Sequence, residues 1–133
     1  MFTLVVSVFS YDVWFYISHL ILHTPTFYKY HHEHHLAEEP IFIDTYKAHV
    51  VETLFQGVGM FFPLAIYKYT IVDLLLVLTY LNIRGMMRHD RRFAFLVGEH
   101  HLLHHKYHTV NYGEFWIDSL FGTIYRKKNI NRV

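Results

Sequence analysis

The chain has 133 residues, which is enough for one domain. Hydrophobic residues make up 53% of it and aromatic residues 19%, which excludes a disordered protein. The net charge of +1 gives no basic surface for nucleic acid, and the absence of cysteine excludes disulfides, zinc fingers, thiolate iron–sulfur clusters and cysteine catalysis. Thirteen histidines in so apolar a chain predict a membrane-embedded protein with a metal site.

Residues 1–23 predict a long apolar helix that the Thr24-Pro25 pair ends. Asp12 is the only charged residue before Lys29. The segment is long enough to span a bilayer, which takes about 20 residues. It lacks the basic start and the small-residue cleavage site of a signal peptide, so a retained helix is expected.

The middle of the chain predicts a short helical block and then a helical hairpin. The block covers residues 26–39 and ends at Pro40, and a connection over 41–52 follows. Two apolar runs, 53–67 and 70–83, form the hairpin at about 53–83. Each run is shorter than a standard span, so the hairpin either crosses with its flanking residues, dips part way into the bilayer, or is buried in a soluble protein.

Basic residues are distributed unequally about this hairpin. Of the twelve lysines and arginines, only Lys68 lies at the tip, and the other eleven flank the histidine-containing segments. The positive-inside rule then places the histidines on the cytoplasmic side. The third histidine segment, within 84–110, is followed by a turn at Asn111-Tyr112-Gly113 and by a basic tail.

Eight histidines occur at helical spacing. They are His19 and His23 (i, i+4), His31, His34 and His35 (i, i+3, i+4), and His101, His104 and His105 with the same spacing. Each set is predicted to share one face of a helix. Eight imidazoles exceed the four ligands of one tetrahedral zinc and suit two metal ions. Imidazole binds Zn, Cu, Fe and Ni alike, so the choice of iron rests on the membrane setting and on neighbouring Asp and Glu.

Other histidines are open to more than one interpretation. His32, His100 and His108 fall outside the three sets and are expected to orient a neighbour or to face water. His49 and Glu52 (i, i+3) form either a further ligand with its orienting carboxylate or a plain surface pair. His89-Asp90 is either a ligand beside a carboxylate or an exposed loop pair. The alternatives to a metal site are a structural role and a histidine-rich storage tract, although such tracts lack this fixed helical spacing.

The order of these motifs resembles the fatty acid hydroxylase superfamily, which includes sterol desaturases and C-4 methylsterol oxidases. The likeness covers about residues 12–125. It begins with the segment before the first histidine pair, Asp12-Val13-Trp14-Phe15-Tyr16, and continues through the three histidine motifs around an apolar hairpin. It ends with Asn111-Tyr112-Gly113 and Asp118-Ser119-Leu120-Phe121-Gly122-Thr123.

This resemblance implies an all-α integral membrane enzyme, a single domain over 1–133, with a non-haem di-iron site at the cytoplasmic end of its helices. Such enzymes use O2 and two electrons to hydroxylate or desaturate a fatty acyl chain or a sterol. The electrons come from an external carrier of the cytochrome b type or a ferredoxin, with a reductase. The membrane would be the endoplasmic reticulum in a eukaryote or the inner membrane in a bacterium. The implied ligands are His19, His23, His31, His34, His35, His101, His104 and His105, with His49 and His89 as further ligands.

Family members are commonly about twice as long and carry an additional N-terminal membrane hairpin. A membrane metal-binding or interaction protein that keeps the fold without turnover is therefore the alternative, and assembly into a homo-oligomer is left open. Carboxylates expected near the metal ligands are Asp12, Glu33, Glu99 and Asp118. Aromatic residues that would line a substrate path, or simply pack, are Phe55, Phe61, Phe62 and Tyr67.

Overall fold

The computed structural model describes residues 2–65 and 68–127, and this part of the chain contains helices and turns but no strand. The predicted all-α fold is confirmed. The α-helices are α1 (Phe2–Leu22), α2 (Val50–Gly57), α3 (Ile71–Arg88), α4 (Ala94–Val97), α5 (His100–Tyr107) and α6 (Phe115–Phe121). The 3-10 helices are Tyr28–Tyr30, His34–Leu36, Phe42–Tyr46, Val58–Ala65 and Arg91–Phe93. Tyr67 and the tail from residue 128 lie outside the described residues.

Helix α1 is the one described helix whose length and apolar composition suffice to cross a membrane. It ends as predicted, because the Thr24 hydroxyl donates to the Ile21 carbonyl just before Pro25, which cannot continue the helix. Only 28% of its apolar window is buried inside the protein, so most of this surface faces outward. An apolar helix with so little protein around it is suited to lipid.

The two apolar runs predicted as the arms of a hairpin are helical within the described residues. Helix α2 continues into the 3-10 helix Val58–Ala65, and both this segment and α3 pack against α1. At the start of α3 the Thr70 hydroxyl accepts from the Asp73 amide, and the Asp73 carboxylate accepts from the Thr70 amide. This reciprocal cap satisfies two backbone donors of the first turn.

The hairpin packs on α1 through Trp14. The indole Nε1 donates to the Phe55 carbonyl at 2.8 Å, and the rings of Phe55 and Phe62 contact the indole edge-on. Gly59 lies directly against the indole, where a Cβ would collide with the ring. Phe55 and Phe62, two of the aromatic residues expected along a substrate path or in packing, therefore have a packing role here.

A largely buried ion network joins α1 and α3 to the start of α6. Arg84 donates to the carboxylate of Asp12, its Nη1 lies 3.4 Å from Glu114 Oε1, and Arg88 pairs with Glu114. Buried charges are tolerated when they are paired in this way. Asp12, expected near the metal ligands, instead helps to hold together the helices that carry them.

The second histidine block differs from its prediction. We expected one short α-helix over 26–39, but the structure has two 3-10 helices, Tyr28–Tyr30 and His34–Leu36, with turn residues between them. A 3-10 helix has 3.0 residues per turn rather than 3.6, and short pieces of it serve as connectors. The histidines of this block are therefore not arranged on one α-helical face.

Candidate metal centre

Nine histidines converge in two neighbouring groups. The first cluster consists of His19, His23, His31, His35 and His104, and the second of His34, His89, His101 and His105. Within each cluster the ring nitrogens offered by its members all lie within 4.8 Å of one another. All nine side chains are buried except that of His23, which is half-buried.

In the first cluster the Nε2 atoms face each other. His31 Nε2 lies 2.9 Å from His19 Nε2 and 2.9 Å from His35 Nε2. His104 Nε2 lies 3.0 Å from His23 Nε2 and 3.2 Å from His35 Nε2. Two nitrogens bound to one ion at about 2.0–2.1 Å are roughly 3 Å apart, so the spacing fits ligands of a common ion.

The second cluster has the same character. His89 Nε2 lies 2.9 Å from His34 Nε2 and 3.1 Å from His101 Nε2. His105 Nε2 is buried and has no hydrogen-bond partner within the described residues. Buried polar atoms normally have a partner, so an imidazole nitrogen left free beside three others indicates a place for a metal ion.

The two histidine triplets each contribute to both clusters. His101 and His105, four residues apart on α5, belong to the second cluster, and His104 between them belongs to the first. In the second block His31 and His35 belong to the first cluster and His34 to the second. The three histidines of α5 thus lie at the boundary between the two clusters. The expectation that His31, His34 and His35 share one α-helical face is wrong, because His31 lies in a turn and His34 and His35 lie in a 3-10 helix.

Backbone carbonyls orient five of the nine imidazoles. In each case the Nδ1–H donates to a carbonyl oxygen, at 2.5–3.2 Å: His19 to Tyr112, His34 to Lys47, His89 to Gly85, His104 to Val110 and His105 to Ala37. A proton fixed on Nδ1 leaves the Nε2 lone pair free to face the cluster. This is the tautomer that a metal ligand needs.

Burial keeps the clustered histidines outside α1 neutral. Burial, together with neighbouring imidazoles, lowers the pKa of His31 to about 2 and that of His89 to about 3. Burial likewise lowers the pKa of His34, His101 and His104 below the usual value of 6.5. Neutral imidazole is the form that binds a metal ion.

The turn after α5 holds the carbonyls that orient His19 and His104. Asp118 is fully buried, and its carboxylate accepts from the amides of Tyr112 and Gly113, at 2.9 and 2.8 Å, and from the Thr123 hydroxyl at 2.6 Å. The charge is thereby matched by these three donors, and His100 Nε2 also lies 2.9 Å from Asp118 Oδ2.

Asn111 completes this turn. Its backbone is in the left-handed region (φ 57°), its side-chain amide donates to the His100 carbonyl, and its Oδ1 accepts from the Tyr125 amide. Asparagine is among the few residues other than glycine that adopt this conformation readily. A Cβ on the neighbouring Gly113 would lie 2.7 Å from Ile117 Cγ2, so the position has no room for a side chain.

A cavity of about 160 Å³ adjoins both clusters. Its walls include His19 and His31 of the first cluster and His34, His89 and His101 of the second. The remaining lining mixes apolar with polar side chains, among them Phe15, Met60, Leu81, Glu52, Gln56 and Asn82. Metal ions held by the two buried clusters would therefore lie next to an organic molecule bound in this cavity.

Comparison with known proteins agrees with this geometry. The family model described as fatty acid hydroxylase matches residues 4–123, most of the chain. The chain belongs to the fatty acid hydroxylase family. Methylsterol monooxygenase 1 of Rattus norvegicus is 30% identical over 125 residues, in an alignment that covers 84% of this chain and 43% of the rat protein. The chain thus spans less than half the length of that relative. No solved structure matches significantly.

Within this member of the fatty acid hydroxylase family, His49 lies apart from both clusters. Its Nδ1 accepts from the Val51 amide at 3.1 Å and so caps α2, and its ring contacts Tyr30. Glu52, which the sequence paired with His49, is directed at His31 instead, with 2.8 Å between Glu52 Oε1 and His31 Nδ1. Twenty-one residues separate His31 from Glu52, so no local spacing indicates this pair.

The remaining candidates are placed as follows. His32 is exposed, and His100 Nε2 lies 2.9 Å from Asp118 Oδ2. The His108 ring stands 4.5 Å from the His35 ring without joining a cluster. Of the carboxylates expected near the ligands, Glu33 and Glu99 are exposed. Asp90 is buried but pairs with Arg92 rather than with His89.

Proposed function

We propose that the chain is an O2-dependent di-iron lipid oxygenase that hydroxylates or desaturates a fatty acyl chain or a sterol in a membrane. The observation that carries the proposal is the pair of buried histidine clusters beside one cavity. The family match and the name of the rat relative, a methylsterol monooxygenase, support oxidation of a lipid or sterol.

The proposed ligands are the nine clustered histidines. His19, His23, His31, His35 and His104 would hold one iron, and His34, His89, His101 and His105 the other. The donor set fits, because every cluster offers neutral imidazoles at ligand spacing and His105 Nε2 has no other partner among the described residues. His49 is left out of the set, since it caps α2. When bound, the irons would supply activation of O2 for attack on a C–H bond.

The chain's own residues prepare the site for this chemistry. The carbonyl of Tyr112 and the carboxyl group of Glu52 hold the rings of His19 and His31 in place. Such partners fix ring orientation and ligand basicity. The cavity brings a substrate carbon next to both clusters, and its apolar residues, such as Phe15 and Leu81, suit a hydrocarbon.

We further propose that the protein lies in a membrane with its histidines at the cytoplasmic end. Helix α1 has the length to span, and the Ser7 hydroxyl near its start contacts the hydroxyl of Tyr69, beside Lys68 at the hairpin tip. His19, near the other end of α1, lies in the first cluster. The single basic residue at the tip and the many near the histidines support this orientation. The external cytochrome b-type or ferredoxin carrier, with its reductase, is supported by the family resemblance.

The test is lipid analysis of cells that express the chain under ¹⁸O2. The unaltered chain and His32→Ala, whose side chain is exposed, should both yield a lipid with one ¹⁸O atom, or with two hydrogens fewer if the reaction is a desaturation. His35→Ala should yield neither. Identical lipids in cells with the unaltered chain and with His35→Ala would contradict the proposal and favour a metal-binding protein without turnover.

A further inference from the structure

A second, apolar groove lies on the outside of α3. It has a volume of about 480 Å³ and is lined by Phe42, Ile83, Met86, Met87 and Phe93, with Arg92 as its one charged residue. The Arg92 guanidinium is paired with Asp90, with 2.6 Å between Nη2 and Oδ2. Its charge is therefore matched within the protein, and the groove offers carbon and sulfur surface to a ligand. Methionine side chains adapt readily to apolar ligands of varied shape.

The groove continues an exposed apolar stripe along α3. Leu76, Tyr80, Ile83 and Met87 follow one another at intervals of three and four residues, which places them on one face of the helix. The first three are exposed, and Ile83 and Met87 line the groove. Beyond the groove Phe95 of α4 is 82% exposed. An apolar surface of this extent marks contact with lipid or with a partner, and on the hairpin of a membrane protein lipid is the neighbour.

Tyr46 stands between this groove and the cavity beside the histidines. It lines the cavity together with Asn82, while Met86 lines the groove. The Tyr46 hydroxyl lies 3.4 Å from Asn82 Oδ1 and 3.5 Å from Met86 Sδ, which are long distances for hydrogen bonds. The side chain is 60% exposed, so few contacts hold it in place.

We propose that the groove binds the hydrocarbon part of a membrane lipid, and that Tyr46 borders the passage by which this lipid reaches the cavity. The proposal rests on the proposed function in taking the substrate to be a lipid. A hydrocarbon chain is the occupant because the groove is continuous with the lipid-facing side of α3 and its one charge is already paired. An acyl chain and a sterol ring system share this chemistry, and the experiment distinguishes them.

The experiment is photolabelling of the metal-loaded protein in lipid nanodiscs. One arm uses a fatty acid and the other a sterol, each with a diazirine on its apolar part, and mass spectrometry locates the label. We expect label on Met86, Met87 or Phe93, and the arm that labels identifies the class of lipid. Met86→Trp, which fills the groove, should lower the labelling of Met87 and Phe93 several-fold.

Leu103→Trp is the matched control, because it places the same ring in a different surface groove, next to Glu99 and Lys106. It should leave the labelling unchanged. Metal content reports whether each variant has folded. If Met86→Trp loses its metal, the positions labelled in the unaltered chain alone decide whether the groove binds lipid. A map without groove residues, or equal labelling in a folded Met86→Trp, would overturn the proposal.

Labelling requires no turnover, so the two proposals fail separately. If the chain oxidises a lipid but its groove stays unlabelled, only the proposal that the groove binds lipid is contradicted. A labelled groove in a chain that oxidises no lipid contradicts the proposed function alone.

Discussion

Single residues remote in sequence orient the imidazoles. Glu52 lies on α2, yet its carboxyl group contacts the Nδ1 atom of His31 while His31 Nε2 faces the first cluster. Carboxyl groups placed behind a ligating histidine usually set the ring's orientation and basicity. Glu52 is thus a positioning residue for His31.

We predict that Glu52→Gln weakens metal binding by about 10–100-fold, the usual effect of losing such a partner. Burial raises the pKa of the Glu52 carboxyl group to about 9, so the change removes an ionisable partner of His31 Nδ1 rather than a fixed charge, and the amide keeps the shape of the side chain. The measurement is metal affinity by competition with a chelator. Glu33→Gln is the control, because Glu33 is an exposed carboxylate of the neighbouring block. Equal affinity in both variants would show that Glu52 does not position His31.

At this scale the sequence predicted eight of the nine clustered histidines from their spacing, and the family resemblance added His89. It did not predict which histidines share a cluster, because His104 and His105 are neighbours in sequence yet lie in different clusters. It also paired Glu52 with His49, three residues earlier in the sequence, whereas the partner of Glu52 is His31 on another segment. These relations depend on tertiary packing, which local spacing does not contain.

Among the structural elements, the turn between α5 and α6 has the most direct effect on the site. Asp118 binds the amides of Tyr112 and Gly113, and the Tyr112 carbonyl accepts from His19. The Val110 carbonyl, at the start of the same turn, accepts from His104. The turn therefore sets the direction of two ligands of the first cluster.

We predict that Asp118→Ala lowers both stability and metal content. The change leaves two buried amides and the Thr123 hydroxyl without their acceptor, at a cost of about 1–3 kcal/mol for each group. The measurements are the melting temperature in detergent and the metal per chain. Ser119→Ala, at an exposed neighbouring position, should change neither. An Asp118→Ala protein with normal metal content would contradict the role of the turn.

Elements with a strong local signal were predictable. The apolar run before Thr24-Pro25 predicted α1, and the two apolar runs around Lys68 predicted the helical segments on either side of it. The second histidine block was predicted as an α-helix because its spacing is helical, but it forms 3-10 turns. His31 and His35 of this block lie in the first cluster, and His34 between them in sequence lies in the second.

For the whole molecule, nine imidazoles packed together have a consequence for acid stability. Burial keeps the pKa of His31 at about 2 and that of His89 at about 3 in the folded chain. In the unfolded chain they titrate near 6.5. Below pH 6.5 the unfolded state therefore binds protons that the folded state excludes, and the free energy of unfolding falls as the pH falls.

We predict that the metal-free protein loses stability between pH 6.5 and 5, at about 1.4 kcal/mol per pH unit for each such histidine. The measurement is the melting temperature in detergent, and we expect a decline below pH 6.5 with little change from these histidines above pH 7. A melting temperature that stays constant or rises on acidification would contradict neutral, buried imidazoles.

Iron content per chain tests most directly whether the two clusters hold two metal ions. After anaerobic reconstitution the unaltered chain should bind about two irons, one for each cluster. His104→Ala and His101→Ala should each lower this number, because each removes a ligand from a different cluster. His49→Ala should leave it unchanged. One iron or none in the unaltered chain, or equal loss in His49→Ala and His104→Ala, would contradict the account.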